Sequence, residues 1–169
     1  IVPGPGNDTI DGGGDIDHVE YAWNPQSGFP VPVRGLEVNL EALYAIDNWG
    51  FKDRLVDAEN IGGSFLNDSI VGDRNPNSLL GYDDDDTLRG LGENDRLDGG
   101  AGDDWLDGGE GDDRLVVGGA DDFGNDTADG GPGYDVAEYN YRDLKQSIYR
   151  SEEHTSELQS RFGISYAVF

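Results

Sequence analysis

The chain contains no cysteine and no methionine, and only two of its 169 residues are histidine. Without cysteine there is no disulfide framework and no thiolate metal site. Lysine and arginine together number 11, against 36 aspartates and glutamates, for a net charge of −25. Such a surface cannot replace the counterions of a polyanion, so nucleic acid is excluded as a partner. An anionic membrane surface is disfavoured for the same reason. No apolar run approaches the roughly 20 residues of a bilayer-spanning helix. Apolar residues make up only 35% of the chain, too few for a thick conventional core. A sequence that starts at Ile1 and holds no methionine is expected to be a piece of a longer reading frame. The lack of a leader at Ile1 then says nothing about secretion.

Glycine (27 residues) and aspartate are what the chain has in excess, and they recur every ninth position. Six contiguous nonapeptides run from Gly63 to Val116: GSFLNDSIV, GDRNPNSLL, GYDDDDTLR, GLGENDRLD, GGAGDDWLD and GGEGDDRLV. Val117–Ala120 interrupts the register. It resumes as DDFGNDTAD from Asp121 and GGPGYDVAE from Gly130, ending at Glu138. A separate pair, PGPGNDTID from Pro3 and GGGDIDHVE from Gly12, stands near the start.

The columns have consistent chemistry. Position six is Asp8, Asp17, Asp68, Asn77, Asp86, Asp95, Asp104, Asp113, Asp126 and Asp135. Position eight is Ile10, Val19, Ile70, Leu79, Leu88, Leu97, Leu106, Leu115, Ala128 and Ala137. Position one is mostly glycine, which permits the positive φ of a tight turn. Each repeat therefore reads as a turn followed by a strand of about three residues with one inward apolar side chain. Such a strand is unstable alone, but stacking many copies builds two parallel sheets around a thin apolar ladder. Stacking also brings the turn carboxylates together. Two such charges ~4 Å apart repel by about 4 kcal/mol at an effective dielectric of 20. That repulsion should hold the metal-free chain open, and a hard divalent cation with oxygen ligands reverses its sign. Carboxylate and carbonyl oxygens, with no cysteine and almost no histidine, select calcium over zinc or copper.

This pattern, G-G-x-G-x-D-x-U-x, resembles the hemolysin-type calcium-binding nonapeptide of the RTX family. Gly99–Asp107, Gly108–Val116 and Gly130–Glu138 match it at every specified position, and Pro3–Asp11 lacks only the first glycine. The resemblance covers residues 3–20 and 63–138. It implies an all-β fold, a parallel β-roll (β-solenoid) with two repeats per coil and several Ca2+ ions between turns on the same edge. The implied ligands are the carboxylates of Asp8, Asp17, Asp68, Asp86, Asp95, Asp104, Asp113, Asp126 and Asp135. Backbone carbonyls of Gly90, Gly99, Gly100, Gly102, Gly108, Gly109, Gly111, Gly130, Gly131 and Gly133 would complete the sites. On that geometry Asp86 faces Asp104 and Asp95 faces Asp113. Asp104 faces Asp126 and Asp113 faces Asp135 if Val117–Ala120 loops out. Asn77 removes a charge, and Leu66 and Asn75 replace the glycine of position four. Asp84 and Glu93 stand there too, as extra ligands or as solvated charge. The weakest sites are expected before Gly81 and the best from Gly90 onward.

The rest of the chain divides around these arrays. Residues 21–62 form a spacer between the first repeat pair (1–20) and the main roll (63–138). Within it Leu36–Leu40 alternates like a strand, and Leu55–Ile61 leads into the second array. The spacer reads as a bridge or cap. Trp23, Tyr44, Trp49 and Phe51 are candidate sugar-stacking residues, with small-core packing the favoured explanation. Residues 139–149 read as a capping flank, since an open roll end invites aggregation. The stretches RSEEHTSELQS (Arg150–Ser160) and ISYAVF (Ile164–Phe169) resemble the in-frame translation of a sequencing adapter. Residues 150–169 are accordingly set apart from fold reasoning, leaving His18 as the one histidine.

Catalytic signatures are missing. There is no H-E-x-x-H zinc motif, no G-x-S-x-G elbow and no phosphate loop. Carboxylate pairs of the glycosidase kind each have a repeat-position explanation. His18, at position seven, reads as a surface residue, and the Asn7, Asn67 and Asn125 sequons fall at position five of the repeat. The expectation is a non-catalytic calcium-binding β-roll module of a secreted bacterial protein, exported by type I secretion and folded by calcium outside the cell. The alternatives place the catalytic domain of a secreted enzyme or toxin (protease, lipase or glycan-modifying) outside this stretch, or make the whole an RTX adhesin. An extracellular polysaccharide or surface target would then be met through those other regions.

Overall fold

Position eight of each nonapeptide decides the architecture. In the computed structural model, which describes residues 1–22, 28–117 and 124–138, every such side chain from Ile10 to Leu115 is turned inward and is at most 5% exposed. These residues form one continuous core cluster, with Ala128 and Ala137 packed against its end. The expected capping strand at Tyr139–Tyr141, Trp23 and the adapter-like residues 150–169 lie outside the described residues.

Among the described residues fourteen strands follow in chain order. The first repeat pair supplies β1 (Thr9–Asp11) and β2 (His18–Glu20), and the spacer supplies β3 (Glu37–Asn39), β4 (Tyr44–Ile46), β5 (Lys52–Val56) and β6 (Asn60–Gly62). The main array gives β7 (Ser69–Val71), β8 (Ser78–Asp83), β9 (Thr87–Gly92), β10 (Arg96–Ala101), β11 (Trp105–Glu110) and β12 (Arg114–Val116). After the interruption come β13 (Thr127–Asp129) and β14 (Val136–Glu138). No described residue is helical.

Alternate repeats feed opposite sheets. One sheet runs β1-β5-β4-β3-β7-β9-β11-β13 and the other β14-β12-β10-β8-β6-β2. Within the array all neighbours are parallel, so Leu97 lies between Leu79 and Leu115, and Leu88 beside Leu106. One coil is therefore two repeats. Where Val117–Ala120 intervenes, Leu106 pairs with Ala128 and Leu115 with Ala137, so the extra residues leave the register intact.

The strands differ from the expected three residues. β8 to β11 are six residues long because pairing continues through the turn: Gly100 pairs with Tyr82 and Gly109 with Leu91. The spacer is also more regular than its sequence suggests. β3, β4 and β5 form an antiparallel meander, with β3 parallel to β7 and β5 parallel to β1. In the other sheet β6 pairs directly with both β2 and β8. The first repeat pair is thus stacked on the same core as the main array.

The regular turn begins at Gly81. Gly109 (φ 105°) and Gly111 (φ 143°) take left-handed conformations, and a Cβ on either would collide with the carbonyl of Leu91 or Glu93 one coil earlier. Leu91 (φ 86°) and Glu93 (φ 64°) hold the corresponding backbone without being glycine, as do Tyr82 and Asp84. A left-handed non-glycine residue costs about 1–2 kcal/mol. One coil earlier still, no residue of Ser64–Leu66 or Asp73–Asn75 has positive φ. Glu93 is exposed, so Glu93→Gly removes backbone strain at no packing cost. It should raise the melting temperature by the equivalent of ~1 kcal/mol. A lowered melting temperature would show that the Glu93 carboxylate has a role in holding the turn.

Candidate functional site

The turns along one edge of each sheet are joined by two ladders of carboxylate and amide side chains. In the first, the position-six carboxylate accepts the position-six backbone N–H of the coil before it. Asp86 Oδ1 accepts from Asp68 N at 2.7 Å, Asp104 Oδ1 from Asp86 N at 2.8 Å and Asp126 Oδ1 from Asp104 N at 3.0 Å. On the opposite sheet Asp95 accepts from Asn77, Asp113 from Asp95 and Asp135 from Asp113, at 2.7–3.0 Å. The second ladder runs the other way. Position-five Asp85, Asn94, Asp103 and Asp112 accept the N–H of Asp103, Asp112, Asn125 and Tyr134, one coil later. The N-D and D-D pairs of the sequence are thus two opposed sets of inter-coil hydrogen bonds.

The first ladder uses only one oxygen of each carboxylate. Oδ2 of Asp86, Asp95, Asp113 and Asp135 is buried with no hydrogen-bond partner, and so is Oδ2 of Asp17. Position-one glycine makes room for it. A Cβ on Gly90 would overlap Asp95 Oδ2 and the Gly108 carbonyl, and one on Gly108 would overlap Asp113 Oδ2 and the Gly130 carbonyl. A Cβ on Gly81 would likewise meet Asp86 Oδ2 and the Gly99 carbonyl. At these three levels a buried carboxylate oxygen and a carbonyl of the next coil converge on one small space. Among the described residues no three carboxylate or histidine side chains cluster. A cation here would therefore be held by one aspartate at a time with main-chain oxygens, a donor set that suits a hard divalent ion. The residues present fit calcium.

Burying an unpaired carboxylate disfavours its charge. Desolvation pushes Asp86 up to about 8 and Asp95 up to about 7, with neighbouring aspartates adding to the shift. Asp68, Asp113 and Asp135 are raised by the same cause.

The earlier levels differ. Both oxygens of Asp68 are taken, Oδ1 by Leu36 N and the Ser64 hydroxyl and Oδ2 by Ser64 N. Asn77 accepts from Asp73 N and donates to the Glu59 carbonyl. Neither turn leaves an oxygen over. Asp8 is exposed, Asp17 half-buried and Asp126 half-buried.

Two members of the position-six column were not recognised in the sequence. Asp53 Oδ1 accepts from Asp8 N at 2.9 Å, and Glu59 Oε2 from Asp17 N at 2.8 Å. Each stands two residues before a buried inward residue, Leu55 or Ile61. The signal was present: Asp53-Arg54-Leu55-Val56 recurs as Asp113-Arg114-Leu115-Val116. Asp53 and Glu59 are only six positions apart, so a search at period nine passes over them.

Two of the candidate sugar-stacking aromatics have partners within the spacer. Trp49 packs edge-on to Phe29 and donates its indole N–H to the Pro30 carbonyl, while the Tyr44 hydroxyl donates to Glu37. His18 is half-buried on β2, with its Nε2 3.2 Å from Glu20.

The raised carboxyls set a pH dependence. Unfolded aspartate titrates near 3.9, while folded Asp86 and Asp95 keep their protons up to about 8 and about 7. Between those limits the folded chain binds more protons than the unfolded one, so stability falls as pH rises. In chelator, β content should be higher near pH 5 than at pH 8. With calcium the order should reverse, because the ligands must be deprotonated. Circular dichroism at both pH values reads this directly. Equal or greater β content at pH 8 without metal would contradict the assignment.

Comparison with known protein families matches the RTX calcium-binding nonapeptide repeat in four copies, at residues 4–19, 62–97, 90–123 and 122–137. Together these span more than half of the chain. A search of curated proteins finds no match. With nonapeptides in register, two repeats per coil and parallel sheets around a single apolar ladder, the chain belongs to the RTX calcium-binding nonapeptide repeat family.

Proposed function

We propose that this chain is a calcium-binding β-roll module that folds as it binds the ion, carries no catalytic machinery of its own and works outside the bacterial cell. The observation that supports it is the set of buried, unpartnered Oδ2 atoms on Asp86, Asp95, Asp113 and Asp135. Each lies where a Cβ on the position-one glycine five residues earlier would fall. Calcium at these levels is held by that oxygen and by carbonyls of the adjoining glycine turns. The best sites run from Gly90 to Asp135, and the turns of Asp68 and Asn77 before Gly81 contribute stacking rather than ligands. Residues 1–20, 21–62 and 63–138 act as first repeat pair, spacer and main roll on one continuous core.

The chemistry explains why export and folding go together. With a net charge of −25, the metal-free chain resists compaction, and the buried carboxylates add a desolvation penalty. Extracellular calcium modules bind at about 10⁻⁴–10⁻³ M, so the chain stays extended where calcium is scarce and folds where it is millimolar. Metal binding free energy is then folding free energy.

The test is the triple substitution Asp95→Ala, Asp104→Ala, Asp113→Ala. It should leave the chain largely unfolded at a calcium concentration that folds the parent sequence. Folding of the triple variant at the parent's calcium midpoint would overturn the ligand assignment.

A further inference from the structure

Outside the repeat columns, the spacer hairpin holds two more buried side-chain oxygens without a partner. Asp47 and Asn48 directly follow β4 and open the turn that leads to β5. Both residues are fully buried, at 0% exposure. Asp47 Oδ1 accepts the N–H of Trp49 at 3.0 Å and of Phe51 at 2.7 Å, while its Oδ2 has no donor. Asn48 donates through Nδ2 to the Arg34 carbonyl at 3.2 Å, which leaves its Oδ1 as the second unpartnered acceptor.

The surroundings are acidic. Ala45, two residues before Asp47 and equally buried, stands opposite Asp53 in the β4–β5 pairing. Asp47 therefore shares the inward face with Asp53. The charges of Asp53, Asp47 and Asp8 all oppose ionisation of the buried Tyr21 hydroxyl, which donates to Asp53 Oδ2 at 3.1 Å. Among the described residues the ion pairs involve none of these aspartates. A strap closes the place off from outside. Val33 N–H donates to the Asn48 carbonyl, the Trp49 indole donates to the Pro30 carbonyl, and Phe29 sits edge-on to Trp49.

Two buried acceptor oxygens on consecutive residues, one of them a carboxylate and neither with a donor, form an arrangement that a cation relieves. We propose that Asp47 Oδ2 and Asn48 Oδ1 bind a calcium ion in the spacer hairpin, separate from the ions of the nonapeptide turns. One carboxylate and one amide oxygen are hard ligands that calcium accepts readily, with carbonyls and water completing its six to eight positions. The bound ion ties the hairpin to the strap and fixes the meander that joins the first repeat pair to the main roll.

The experiment counts calcium bound per chain by elemental analysis after equilibrium dialysis, at a concentration that saturates folding by circular dichroism. Asp47→Asn keeps the acceptor for Trp49 and Phe51 but removes the charge. It should bind one ion fewer than the parent chain with unchanged β content, and an equal count would overturn the proposal. If Asp47→Asn does not fold, terbium luminescence sensitised through tryptophan decides. Trp49→Phe should lower that emission in the folded chain, and undiminished emission would overturn the proposal.

Discussion

The hydrogen bond from one coil's position-six N–H to the next coil's position-six carboxylate is the contact on which the rest of the roll depends. It fixes the spacing and register of the coils at the turn, where the strands are too short to do so alone. It also commits one oxygen of each carboxylate that takes part. In the regular turns from Gly81 onward the second oxygen is left without a donor on Asp86, Asp95, Asp113 and Asp135. The geometry that orders the polypeptide thus creates a deficit of positive charge at regular intervals along it. Hydrophobic burial cannot make up that deficit, because each repeat offers a single aliphatic side chain to the core. A cation supplied from solution can.

The position-five ladder complements this arrangement. Asp85, Asn94, Asp103 and Asp112 reach forward to the next coil and accept its backbone N–H groups. They are also exposed, so their charges are solvated. Two adjacent acidic positions in one repeat therefore have different physical situations. One is a neutral-tolerant hydrogen-bonding position, where asparagine substitutes for aspartate in the sequence itself. The other is a buried carboxylate whose ionisation is costly without a counter-charge.

The roll was legible in the sequence because two columns recur at a fixed spacing. The inward run from Ile10 to Leu115 and the pairing of Asp86 with Asp104 and Asp95 with Asp113 follow from period nine and two repeats per coil. The interruption at Val117–Ala120 was also readable, since an insertion in a turn need not disturb strand pairing. What was not legible depends on three-dimensional register. Asp53 and Glu59 join the position-six column although only six residues separate them, because the meander of β3, β4 and β5 supplies the missing coil by antiparallel pairing. Six-residue strands arise from pairing across Gly100 and Gly109, which composition assigns to turns. The left-handed Tyr82, Asp84, Leu91 and Glu93 were hidden for a related reason: neighbouring coils impose the backbone, and the local residue bears the strain. Asp47 and Asn48 carry no repeat signature at all. The strap that meets Asn48 lies fourteen or more residues earlier in the chain.

The account rests on calcium, rather than apolar burial alone, closing the roll. Far-UV circular dichroism of the whole chain, titrated with calcium and in parallel with magnesium, tests that most directly. A transition from coil to β structure with calcium, weak or absent with magnesium, is the result the account predicts. Magnesium holds its waters tightly and demands a near-octahedral shell, which a single aspartate with main-chain oxygens does not provide. A spectrum already rich in β structure in chelator at pH 8, and unchanged by calcium, would contradict it.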